Sequence, residues 1–92
     1  MPYIPQEHRD KIDAHIDSLV DMTIPLFTKG MANYVISKLM DKFFFDGYIQ
    51  YERINDAIGV LECCKLEVYR RLAAPYEDKK KNINGDVFEE IK

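Results

Sequence analysis

The sequence predicts an all-α fold. It reads as one domain, residues 1–92, of three helices with a long third helix as spine and a C-terminal turn or short hairpin. Three observations predict this. Apolar residues recur at three- and four-residue spacing along most of the chain. Pro25, Asp46-Gly47 and Pro75 punctuate those runs. The stripes are also wider than one neighbouring helix covers, which adds self-association to the prediction.

The first helix starts near Pro5, where a missing N–H is harmless. Ile12, Ile16, Leu19 and Val20 form its stripe, and Glu7 and Asp10 suit the positive end of its dipole. It should fade before Pro25, because the residue ahead of a proline avoids helical geometry. Residues 23–30 then connect it to a second helix, Met31 to Phe45. Ala32, Val35, Ile36, Leu39 and Phe43 make the main stripe there, widened by Tyr34, Met40 and Phe44. Asp46-Gly47 stops it, with glycine in the left-handed region.

The third helix runs from Tyr51 to about Ala73. Ile54, Ala57, Ile58, Leu61, Cys64, Val68 and Leu72 keep helical register, and Glu62–Lys65 and Glu67–Arg71 are spaced to pair. Gly59 inside it suggests close approach of another backbone, and Pro75 ends it. Residues 1–76 thus make a helical core, and residues 77–92 a polar tail or hairpin. Asn84-Gly85 is a type I′ turn signal, so Ile83, Val87 and Phe88 could form the docked side of a hairpin.

Composition narrows the function classes. The net charge is −3, which argues against coating nucleic acid by charge alone. The chain is 47% hydrophobic, too apolar for disorder, yet no run approaches the roughly 20 apolar residues of a membrane helix. The charged opening MPYIPQEHRD does not read as a signal peptide. Cys63 and Cys64, adjacent and alone, make no disulfide framework, and a cytoplasmic setting is expected. A domain this short buries only about 60–65% of its unfolded surface, so it needs staples or partners.

Catalytic signals are absent from the pattern. His8 and His15 lie two turns apart, an axial gap of about 10 Å, too long for one metal. His15 reads as partly buried and hydrogen-bonded, and Cys64 as a small core residue. No phosphate loop or nucleophilic triad is present. No enzyme activity, metal or cofactor is expected. Asp13, Asp17 and Asp21 form an acidic strip that reads as a solvated face or a docking strip for a basic surface. Such a surface lies in the same chain, since residues 65–81 carry six basic against three acidic residues. Opposite patches suit head-to-tail or two-fold assembly, or an intramolecular contact.

The densest constellation is Tyr69, Arg70 and Arg71 followed by Tyr76, Lys79 and Lys80. Guanidiniums bind phosphate or carboxylate in bidentate fashion, and phenol rings stack on bases. These six residues are the candidate ligand site for a phosphorylated or nucleotide-like molecule. The alternative is dipole pairing at a helix end beside a solvated charge run. Phe27, Phe43, Phe44, Phe45 and Tyr48 are the candidate interface of a homo-oligomer.

The opening MPYI with Arg9, the block 33–39 (NYVISKL), the run 54–67 (INDAIGVLECCKLE), and Tyr69-Arg70-Arg71, 74–80 (APYEDKK) and 84–87 (NGDV) resemble a family of small uncharacterised proteins of tailed bacteriophages and bacterial genomes. Residues 22–32 match it more loosely. The resemblance covers nearly the whole chain and carries no established activity. It implies a phage or mobile-element setting in the host cytoplasm. The expected function is a non-enzymatic accessory protein that counters a host defence, by sequestering a nucleotide-like signal or docking on a defence protein. The alternatives are a structural component of the phage particle and a nucleic-acid-binding regulator that uses residues 65–81.

Overall fold

Pro5 caps the first helix in extended geometry, and its carbonyl accepts from the N–H groups of His8 and Arg9. The computed structural model describes residues 2–89. Met1 and residues 90–92 lie outside the described residues, although the single domain expected from the sequence includes them. Helix α1 spans Gln6–Thr23 and tightens into a 3₁₀ turn at Ile24–Leu26, so Pro25 ends the α-helix as expected. The Arg9 Nε donates to the Ile4 carbonyl at 2.7 Å, which folds the opening segment against the first turn.

Thr28 caps the next helix: its side-chain oxygen accepts from the Met31 N–H at 3.1 Å. One orphan donor of the first turn is thereby satisfied. Helix α2 runs Lys29–Met40 and continues as a π turn over Asp41–Phe45. The Asp46 N–H closes that turn on the Asp41 carbonyl. Asp46 at φ 44° and Gly47 at φ 84° then stop the helix in the left-handed region. Left-handed geometry thus begins at Asp46, one residue before the glycine; aspartate tolerates it better than most residues.

Helix α3 spans Tyr51–Val68, a second π turn spans Tyr69–Ala73, and helix α4 spans Ala74–Asn84. The fold is therefore three helical rods, the third long, with no strand among the described residues. Two expectations are corrected here. Pro75 does not end the third rod. It sits in the first turn of α4, where it needs no N–H, and the wide turn before it replaces the hydrogen bond it cannot make. The Ala74 N–H bonds the Tyr69 carbonyl, five residues back. Nor does Asn84-Gly85 turn a hairpin. Gly85 at φ 93° is the helix cap, and its N–H bonds the Lys81 carbonyl at 2.8 Å. A hairpin of two short strands is barely stable in water, whereas four more helical residues each add a hydrogen bond.

The contacts divide the chain into two units, Met1–Ile58 and Gly59–Lys92. In the first, Ala57 is the single buried residue among those described, at 4% exposure. Met31, Ala32, Val35, Met40, Phe44, Phe45 and Ile54 are half-buried. The second has no buried residue among those described; Glu67, Ala73 and Ala74 are its half-buried ones. The side chains expected on the docked face of a hairpin, Ile83, Val87 and Phe88, are exposed. Cys64 and His15, expected in or beside the core, are exposed too. Their helical stripes exist, but nothing in the chain covers them at those positions. Gly59 likewise faces open space: a Cβ built there meets no atom within 4 Å.

Candidate functional site

The Tyr69–Lys80 constellation lies on the second π turn and the first half of α4. Tyr69, Arg70 and Arg71 occupy the turn itself. π turns are frequent at functional sites because the extra residue re-aims the side chains around it. Arg70 turns back along its own helix. Its Nε and Nη2 donate to Glu67 carboxylate oxygens at 3.0–3.1 Å, an i,i+3 pair. The sequence spacing had paired Glu67 with Arg71 instead; the wide turn begins at Tyr69 and shifts that register. Arg71 stands outside the Glu67 pair. The Lys65–Glu62 pair does form, at 3.3 Å.

Tyr76 and Lys80, one turn apart on α4, meet: the ammonium lies 5.6 Å from the ring centroid. Tyr69 and Tyr76 are both more than half exposed, and Lys79 is exposed. The six residues therefore form a basic, aromatic helix surface and not an enclosed pocket. A cavity of about 330 Å³ lies further along at the cap of α4. Of the six, it takes only Lys80 in its lining. The remaining lining includes Lys81, Glu77, Asp78, Asp86 and the apolar Val87 and Phe88. The Asp86 carboxylate accepts from the Phe88 N–H at 2.9 Å, which orders that turn. Three carboxylates against two ammoniums give the cleft no preference for an anion. Sequence reasoning missed it because it assigned this stretch to a tail.

A second concavity, about 190 Å³, lies in the first unit where α1 meets α2. Leu19, Val20, Thr23, Phe27, Met31, Ala32, Val35 and Ile36 line it. Phe27 is the one candidate interface aromatic found there. Phe43 and Tyr48 are exposed, at 70% and 57%. Phe44 and Phe45 are half-buried, because the π turn after Met40 rotates the side chains that follow it. The Tyr48 ring carries the Arg53 guanidinium at 5.5 Å.

Among the described residues, no three of His, Cys, Asp or Glu are grouped to hold a metal ion. Nor is any described helix long and apolar enough to cross a membrane. A family model described as a domain of unknown function (DUF6899) matches residues 1–87. The chain belongs to the DUF6899 family. No curated protein and no solved structure matches this DUF6899 chain. The residues named above are thus the ground for reading its site.

Proposed function

We propose that this protein is a non-enzymatic binding protein that works as a homo-oligomer, with its action exerted by covering a protein partner. The observation that carries this is surface. Ala57 is the single buried residue among those described. Large apolar side chains stand at more than half exposure, among them Leu26, Phe27, Phe43 and Leu72. Exposed apolar clusters of that kind draw chains together.

The resemblance to bacteriophage proteins supplies the setting: a phage accessory protein in the host cytoplasm that acts against a defence protein. The Glu67–Arg70 pair and the carboxylates of the α4 cleft favour a protein target over a small anion. Sequestration of a nucleotide-like signal is the second reading, supported by Arg71, Tyr76, Lys79 and Lys80 on one exposed stretch.

Sedimentation across a concentration series tests the assembly. The expected masses are multiples of 10.8 kDa. A single chain at every concentration overturns the reading. Calorimetric titration with cyclic oligonucleotides and ADP-ribose derivatives separates the two targets. Flat traces across the panel remove the second reading, and saturable heat supports it.

A further inference from the structure

The Asn84-Gly85 pair turns no hairpin and lies outside the Tyr69–Lys80 constellation, yet it carries a reactive arrangement. Asparagine is a thermolabile residue, because its side-chain carbonyl carbon lies within reach of the next backbone nitrogen. A five-membered ring closes when that nitrogen attacks. A glycine in the next place leaves the nitrogen open to approach, since it has no Cβ to crowd it. Asn33, Asn55 and Asn82 precede tyrosine, aspartate and isoleucine, whereas Asn84 alone precedes glycine.

The fold decides when that nitrogen is free. Asn84 is the last residue of α4, and Gly85 follows at φ 93°. The Gly85 N–H donates to the Lys81 carbonyl at 2.8 Å, which holds the attacking nitrogen in the helix ladder. This bond belongs to the final turn, and helix ends open before helix interiors. Both residues are exposed, and Asn84 lines the open cleft at the cap. A Cβ built on Gly85 meets no atom within 4 Å, so the ring has room to close once the turn opens. Asn33 and Asn55 lie instead inside α2 and α3, and Asn82 is followed by a β-branched side chain.

We propose that Asn84 is a self-modification site, at which opening of the α4 cap lets the side-chain amide convert to a carboxylate. The Gly85 nitrogen gives its proton to hydroxide or water and bonds to the Asn84 Cγ. The Cγ–Nδ2 bond breaks, and ammonia leaves with a proton taken from solvent. Water then opens the cyclic imide at one of its two carbonyls. Attack at Cγ gives aspartate, and attack at the backbone carbonyl gives isoaspartate, whose main chain is one carbon longer. Nothing is oxidised or reduced. The formal net charge falls by one from −3. Either product sets a carboxylate against the negative end of the α4 dipole. The longer main chain also moves the Gly85 N–H out of register with Lys81, so the last turn of α4 loosens.

Prolonged incubation of the full wild-type chain in neutral buffer tests it, read by peptide mass mapping and by ammonia release. The peptide that holds Asn84 should gain about 1 Da, the mass difference between an amide and an acid. Fragmentation should place isoaspartate and aspartate at that position. Conversion there should outrun that at Asn33, Asn55 and Asn82 by on the order of tenfold or more, because those sites lack the open nitrogen. It should speed up with pH, since the nitrogen must lose its proton. Unfolding in urea should accelerate it by on the order of tenfold or more, because the Lys81 bond is then gone. Asn84→Gln, which would have to close a six-membered ring, should release no ammonia over the same period and keep its helical circular dichroism. An Asn84 peptide that keeps its mass in the folded chain overturns the proposal, as does conversion spread evenly over the four asparagines. Equal rates in buffer and in urea overturn the control by the α4 cap. The wild-type time courses need no variant, so they decide even if Asn84→Gln misfolds.

Discussion

Arg53 on α3 donates from Nη1 to the carbonyl of Phe44 at 3.3 Å, across nine residues of sequence. The same guanidinium covers the Tyr48 ring. Phe44 lies in the last turn before the left-handed stop, where carbonyls lack partners within the helix. One side chain therefore satisfies a helix end and clamps the connection between α2 and α3. Arg53→Ala should lower stability by about 1 kcal/mol, since exposed cation–π contacts and hydrogen bonds each contribute on that order. Arg53→Lys should recover less than half of the loss, because a compact ammonium lacks the planar fork that stacks on a ring while donating in its own plane. Denaturant melts at one fixed protein concentration check this. Equal stability of all three proteins would show that the clamp is ornamental.

Gly59 and Gly47 should respond in opposite directions to alanine. Gly59 lies inside α3 with open space where a Cβ would go. Gly59→Ala should stabilise by about 0.5–1 kcal/mol, because alanine loses less backbone freedom in a helix. Gly47 at φ 84° needs the left-handed region. Gly47→Ala should cost about 1 kcal/mol or more there. Thermal melts of the two variants read the sign directly. A destabilised Gly59→Ala would mean that another copy packs on that spot.

Pro75 gives a sharper test of why the third rod contains a π turn. Proline supplies no N–H to the Arg71 carbonyl and crowds it, and the wide turn at Tyr69–Ala73 accommodates both. Pro75→Ala should let that turn tighten to α geometry, raise helical circular dichroism slightly and slow amide exchange over residues 69–78. The gain in stability should stay below the roughly 3 kcal/mol cost of proline in a helix interior, as the turn already relieves part of it. Reduced helicity in Pro75→Ala would refute this account of the bulge.

The rods were legible because their signals are local. Pro25 and Asp46-Gly47 act through backbone sterics alone, and the structure ends helices at both. Thr28 carried the ordinary signature of a capping residue, and it moves the start of α2 two residues ahead of Met31, to Lys29. Pro75 and Asn84-Gly85 were ambiguous for a physical reason. Proline both ends helices and begins them, and a left-handed glycine both turns hairpins and caps helices. Which outcome wins depends on whether helix flanks it on both sides, as it does at Pro75. The candidate site was legible as residue types only. That Arg70 and not Arg71 would turn to Glu67 goes with a π turn that leaves no trace in apolar spacing, whereas the Tyr76–Lys80 contact is ordinary i,i+4 geometry on α4.

Phe43 and Phe45 separate assembly from folding. Phe43 is 70% exposed, whereas Phe45, two residues on in the same π turn, is half-buried. An exposed aromatic that becomes buried between copies behaves as a hot spot, and its removal costs about 2 kcal/mol or more of association, roughly 30-fold. Phe43→Ser should therefore weaken self-association by that order while leaving helix content and the unfolding midpoint of the dissociated chain unchanged. Phe45→Ser should instead lower the midpoint by the order of 2–4 kcal/mol in stability, as loss of a partly buried ring does. Sedimentation and denaturant melts on the same samples distinguish the two effects. If Phe43→Ser melts early and associates normally, its ring serves the fold. If neither variant changes association, the aromatic cluster lies outside the contact between copies.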